Sequence, residues 1–222
     1  MKINNLFIHN WWAIFYFNFK MLPFRQAIYL PFDFYGKIRF VSLDGSINLF
    51  AKNFKVGMIK IGAQGSDMFP RSETLLNIRG NIEIEDRFVL GTGSSVICLP
   101  GSCIHLGRNT ILGARNLIYC EHSISVGDNF LTSWDCQIMD SDTHKVVDIA
   151  TGFYKPICQD VNAGVNVWLG NGVVVNKGTK LPSHTIVASR SLCNKDYTSY
   201  GENCVLAGQP AKVVATNKKW EL

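Results

Sequence analysis

The sequence predicts an all-β protein whose chain winds as a parallel β-coil of six-residue units behind an aromatic N-terminal extension. Three observations predict it. Over residues 163–192, every sixth position is apolar or small (Ala163, Leu169, Val175, Leu181, Val187), and the positions four further on are Val167, Val173, Thr179, Thr185 and Ser191. The same beat runs earlier through Ile78, Ile84, Leu90 and Val96, then Leu106, Leu112 and Ile118, then Val126, Thr132 and Ile138. Gly, Asn, Lys and Ser fill the positions between. A helix at 3.6 residues per turn cannot use such a spacing. A coil whose hexads form the sides of a prism can, because each sixth side chain then points to the axis and stacks on its neighbour above. One coil alone buries nothing, so several must stack.

In chain order, residues 1–75 form a capping extension rich in aromatics. Trp11, Trp12, Phe15, Tyr16, Phe17, Phe19, Phe24, Phe32, Phe34 and Tyr35 crowd together, with Pro23 and Pro31 as breaks. They read as a helix, a turn and then strand, packed on the coil as a cap. The same Trp and Tyr beside Lys20 and Arg25 also suit contact with a membrane surface. Residues 76–222 form the coil domain. Its beat slips at Pro100-Gly101 and again at residues 120–123, and no hexad fits between Ile138 and Ala163, so residues 139–162 read as a protruding loop. The beat ends at Cys193, and a tail, residues 196–222, is expected to leave the stack.

Composition narrows the function. With 222 residues the chain holds one substantial domain plus an extension. Its seven cysteines include no pair two residues apart, which removes zinc knuckles and CxxC redox motifs, and the odd number suits free thiols in a reducing cytoplasm. The apolar run from Leu6 to Phe19 is interrupted by His9, Asn10 and Asn18, so it reads as neither a signal peptide nor a span. A net charge of +5 from scattered basic residues makes no nucleic-acid footprint.

Chemistry is expected in the loop, since loops on rigid scaffolds carry it. His144 lies there, within Met139-Asp140-Ser141-Asp142-Thr143-His144. Histidine suits general-base work, and either Asp140 or Asp142 is a candidate to accept its Nδ1 hydrogen and fix the tautomer. His9, His105 and His184 read as structural.

At Val167-Trp168-Leu169-Gly170, the hexads after it and the tail Ala207-Gly208-Gln209-Pro210-Ala211-Lys212-Val213, the sequence resembles the hexapeptide-repeat acyltransferases, especially the sugar and polysaccharide O-acetyltransferase branch. The resemblance covers roughly residues 78–215. It implies a left-handed parallel β-helix, a homotrimer with active sites between subunits, and acetyl-CoA as donor with no metal required. His144 falls where that family carries its catalytic histidine. The resemblance further implies acceptor contacts at Glu121, with His122 and Asn116 nearby, and donor contacts at Trp168, Gly170, Asn171, Ala188, Ser189, Asn194, Lys195 and Lys212. Ser189-Arg190 replaces the more usual Ala-Gly, and Gly208-Gln209-Pro210 replaces Gly-Asn-Pro. The activity implied is transfer of acetyl to a sugar hydroxyl in surface polysaccharide or lipopolysaccharide synthesis, in the cytoplasm or at the inner face of the membrane. Two alternatives remain, N-acetylation of a nucleotide-linked amino sugar and a catalytically silent trimeric scaffold. A zinc hydratase on the same helix would need a second histidine close to His144. A nucleotidyltransferase domain does not fit into the segment ahead of the coil.

Overall fold

A computed structural model of the chain describes residues 9–65 and 67–221, so Leu6, Phe7 and Ile8 of the apolar run, and Leu222 of the tail, lie outside the described residues. Short parallel strands recur in the order sheet 1, sheet 2, sheet 3. Among the described residues these sheets hold nine, seven and six strands and form the three sides of a prism. Register stacks the sixth-residue side chains as the beat requires. In sheet 1, Leu90, Leu112, Thr132, Leu169, Val187 and Leu206 lie one above another. Sheet 2 stacks Val96, Ile118, Ile138, Val175 and Cys193, and sheet 3 stacks Ile84, Leu106, Val126, Ala163 and Leu181. All are buried. Each large apolar side chain in such a column stabilises the coil by roughly 1.5–3 kcal/mol. Ile78 is buried too, but it sits over Cys98 while Leu76 sits over Val96.

Successive coils shorten. The step in sequence from Ile84 to its stacking partner Leu106 is longer than that from Leu106 to Val126, and the step from Ala163 to Leu181 closes a coil in three hexads. The extra residues lie at 99–102 and 120–123, where sheet 2 turns into sheet 3, and the extruded loop leaves at the same place. Every interruption of the beat after residue 78 therefore falls on one edge of the prism, here the second edge. The first edge joins sheet 1 to sheet 2, and the third joins sheet 3 to sheet 1.

The third edge shows why the corners carry Gly and Asn. Gly107, Gly127 and Gly164 stack so closely that a Cβ on Gly107 would lie 2.4 Å from the Gly127 carbonyl carbon. Beside them Asn109, Asn129 and Asn166 take left-handed backbone, which Asn tolerates better than most residues. Their side chains join in a ladder, Asn109 Nδ2 to Asn129 Oδ1 at 3.2 Å and Asn129 Nδ2 to Asn166 Oδ1 at 2.9 Å. His184 continues it, with Nδ1 3.2 Å from Asn166 Nδ2.

The coil begins well before residue 76. Phe32–Phe34, Ile38–Leu43, Ser46–Leu49 and Ile59–Ala63 already pair in parallel within the three sheets. Sequence periodicity misses these coils because the ladder shifts register between Phe40 and Ser42 and between Ile61 and Ala63, and each shift breaks the six-residue beat. Helix α1 (Trp11–Met21), capped by Asn10, and the short α2 (Phe24–Ala27) precede them. Phe17 of α1 packs 4.9 Å from Phe32, 5.0 Å from Phe34 and 5.6 Å from Phe40. Buried Asn18 fastens the helix to the first strand, donating to Phe32 O at 2.8 Å and accepting from Phe32 N at 3.0 Å.

The tail does not leave the stack at once. Val205–Gly208 pairs in parallel with Ile186–Val187 in sheet 1, because Leu206 supplies one more apolar residue for the column. Ala211–Ala215 then folds back antiparallel and closes that sheet's edge.

Candidate active site

The loop that carries His144 leaves the second edge after Gln137–Met139 and returns at Val161–Ala163. Its base is fastened. Ser141 bridges Cys158, Asp142 N donates to Ile157 O at 3.0 Å, and Gln159 N donates to Asp140 O at 2.9 Å. Farther out, Val146–Val147 pairs antiparallel with Tyr154–Lys155. The base thus acts as a stem, and His144 stands where the stem opens, exposed to solvent.

Neither expected carboxylate orients that histidine. Asp140 is fully buried and accepts the backbone N–H groups of Glu121, His122 and Ser123 at 2.8, 2.8 and 2.7 Å. Those donors are stranded by the slip at 120–123, and a buried carboxylate answers all three. Asp142 pairs with Lys177 Nζ at 2.5 Å. That ammonium also donates to the carbonyls of Pro156 and Ile157 and is largely buried, so it clamps both sides of the stem to the next coil. The nearest partner of His144 Nδ1 is Thr143 Oγ1, at 2.9 Å. Thr143 has left-handed backbone (φ 61°), an uncommon state for a β-branched residue, and its N–H donates to Ser141 Oγ at 2.9 Å. Lys177, Ser141 and Thr143 escaped sequence reading. Lys177 looks like any corner cation of the strict repeat, and nothing in the local sequence ties it to the loop.

The remaining acceptor candidates divide. Glu121 is held by the Ser141 hydroxyl, and exposed His122 pairs through Nε2 with Asp160 at 3.3 Å. Both flank the loop on the second edge. Asn116 does not join them. It is buried on the first edge, donating to Gly113 O, Thr132 Oγ1 and Ser133 O and accepting from Cys136 N, so no polar atom of its amide is left for a substrate.

Donor candidates also separate by edge. Gly170, Asn171, Ala188 and Ser189 stack on the first edge, and a Cβ at Gly170 would lie 2.8 Å from Ser189 N, so the two backbones approach as only glycine allows. The tail hairpin reaches the same corner, where Gln209 Nε2 donates to Arg190 O at 2.6 Å. Trp168 lies beside it in sheet 1, its Nε1 3.2 Å from Ser133 Oγ and its ring 6.2 Å from that of Trp220. Lys212 is exposed on the final strand. Asn194 and Lys195 instead lie on the second edge, with Lys195 Nζ 5.3 Å and 5.5 Å from the Tyr197 and Tyr200 ring centres. Next to them, the Thr198 hydroxyl and N–H and the Lys180 ammonium hold the Asp196 carboxyl down to about 2, and burial pushes the Tyr197 phenol up to about 12. His105 lies 3.4 Å from Glu83 and His9 2.8 Å from Asp33, both away from the loop.

Three parallel sheets wound from six-residue units, with glycine at the corners and one histidine-bearing loop thrown from an edge, define a hexapeptide-repeat β-helix protein. No family model matches the chain. Among curated proteins it is similar to the galactoside O-acetyltransferase of Escherichia coli K12, 28% identical over 114 residues that cover 51% of this chain and 54% of that protein. It is also similar to the polysialic acid O-acetyltransferase of E. coli O1:K1 / APEC, 27% identical over 126 residues covering 56% and 40%. The chain spans about half the length of these relatives. Among solved structures, the polySia-specific acetyltransferase NeuO shares the fold with a TM-score of 0.60 at 19% identity, over 86% of this chain and 79% of that one. The fold is shared with that structure, and the coil is the left-handed β-helix.

Proposed function

We propose that this protein is an acetyl-CoA-dependent O-acetyltransferase that modifies a sugar hydroxyl of a surface polysaccharide or lipopolysaccharide, working as a homotrimer in the cytoplasm or at the inner face of the membrane. One observation carries the reading: His144 is presented to solvent on a stem clamped by Asp142 and Lys177, with its Nδ1 engaged by Thr143. In the tautomer whose Nδ1–H donates to Thr143 Oγ1, Nε2 holds the lone pair that a base needs. As the sugar oxygen attacks the thioester carbonyl, Nε2 takes the hydroxyl proton. When the tetrahedral intermediate collapses, the C–S bond breaks and the imidazolium returns that proton to the departing thiolate. The names of the curated relatives support sugar O-acetyl transfer.

The test is thiol release from acetyl-CoA against a panel of sugars, amino sugars and oligosaccharides. A hydroxyl acceptor should give an acetyl ester. His144→Ala should keep the melting temperature and donor affinity yet lower kcat by roughly 10²–10⁴-fold, the worth of a positioned proton acceptor. If the variant keeps more than about a third of wild-type kcat, His144 is not the base.

A further inference from the structure

We propose that the N-terminal end of the coil is a docking face for an anionic lipid surface, independent of the acetyl-transfer reading. In α1 the positions facing the coil are buried (Ala13, Ile14, Phe17, Asn18, Met21), while the opposite face exposes Trp12, Phe15, Tyr16 and Phe19. An outward face of an ordinary surface helix is polar. This one is largely apolar on both sides, so burial against the coil accounts for only half of it. The exposed rings pair along the chain: Trp12 stacks on Tyr16 at 4.9 Å and Phe19 lies 6.2 Å from Phe24, which is itself 71% exposed. A patch of this kind marks an interaction site.

Charge selects the partner. The first acidic residue of the chain is Asp33, so α1 and α2 contain no carboxylate, while Lys20 and Arg25 are exposed among the rings. Asp33 itself is bound by His9 and Tyr35. On the adjoining corner, residues 50–58, exposed Lys52 and Lys55 flank exposed Phe50 and Val56. Aromatic rings with basic residues at their border match the boundary between acyl chains and anionic headgroups. A second copy set face to face would bring Lys20 and Arg25 against their own counterparts. No helix among the described residues is long and apolar enough to cross a membrane. The Asn18 clasp to the first strand keeps it anchored to the coil while its outer face is used.

The test is co-sedimentation of the full chain with two kinds of vesicle, one of phosphatidylcholine alone and one of phosphatidylcholine mixed with phosphatidylglycerol. Wild type should bind the anionic vesicles about tenfold to thirtyfold more tightly, from Lys20 and Arg25 together, and high salt should erase that preference. The triple variant Trp12→Ser, Phe15→Ser, Phe19→Ser should lose binding to anionic vesicles while melting as wild type does, since all three side chains are exposed. The double variant K20E/R25E should lose the anionic preference. Absence of wild-type binding to anionic vesicles overturns the proposal, as does equal binding by the triple variant. Sedimentation velocity without lipid provides the other decisive outcome: if the triple variant has fewer subunits than wild type, a second copy covers this face and the lipid assignment is wrong.

Discussion

Thr143 holds a backbone conformation that its branched Cβ disfavours, and it does so beside His144, the histidine proposed as the base. Residues held in such states persist where surrounding contacts over-determine them. Here those contacts are the Ser141 hydroxyl on its N–H and the Asp142–Lys177 pair behind it. If Thr143 Oγ1 fixes the His144 tautomer, Thr143→Val keeps the shape, removes the acceptor and should lower kcat about tenfold, the worth of one neutral hydrogen bond. Thr143→Ser should restore most of the rate, with KM for both substrates unchanged; a Val variant at full kcat would show that the hydroxyl does not position the ring. The place of His144 in a loop was legible in the sequence because its segment carries no repeat. Its surroundings were not. Asp140 and Asp142 are close to it along the chain, but their partners, the 121–123 backbone and Lys177, lie one coil away in either direction, and no local pattern encodes that.

At the scale of the element, the hexad beat reported its own interruptions faithfully, since the coils after residue 78 slip where the sequence slips. Residues 32–63 were illegible as coil because two register shifts and the long connection from Ala63 to Thr74 hide the period, although the strands pair in parallel like the rest. Asp140 makes one of the interruptions possible. The lengthened corner leaves three N–H groups pointing inward, and the carboxylate accepts all of them without exposure to water. In Asp140→Asn, one accepting oxygen becomes an NH₂ facing those donors, which should cost roughly 3 kcal/mol and lower Tm by about 6–12 °C for a chain of this size. Thermal unfolding checks it. An unchanged Tm with a large loss of kcat would instead return Asp140 to the catalytic role that its position in the sequence suggested.

Across the whole molecule, the chain divides its candidate machinery between two edges of the prism. His144, Glu121, His122, Asn194 and Lys195 lie along the second edge; Gly170, Asn171, Ala188 and Ser189 lie along the first, under the tail hairpin. A rigid three-sided coil cannot fold one of its edges onto another. A ring of three copies can bring the second edge of each subunit against the first edge of the next, since a heterologous contact that closes after three steps repeats one interface three times. The tip of the loop would offer such a neighbour apolar side chains, with Ile149 97% exposed and Phe153 62% exposed. If the site is shared in this way, two inactive variants should complement each other. His144→Ala removes the base from the second edge, and Ser189→Trp sets a bulky ring on the exposed donor corner of the first. Each should be inactive alone, and the melting temperature and subunit number of each are measured beforehand. When the two are refolded together in equal amounts, an interface is intact only if its base comes from the Ser189→Trp chain and its first edge from the His144→Ala chain. Random assembly makes that true for roughly a quarter of interfaces, so activity should return to about 25% of wild type per interface. Simple mixing of the two assembled proteins should return activity only as fast as subunits exchange. Recovery near zero after refolding, with mixed trimers demonstrated by differently tagged chains, would mean that one chain supplies both the base and the donor contacts, and the second-edge residues Asn194 and Lys195 would then be the ones to test for donor binding.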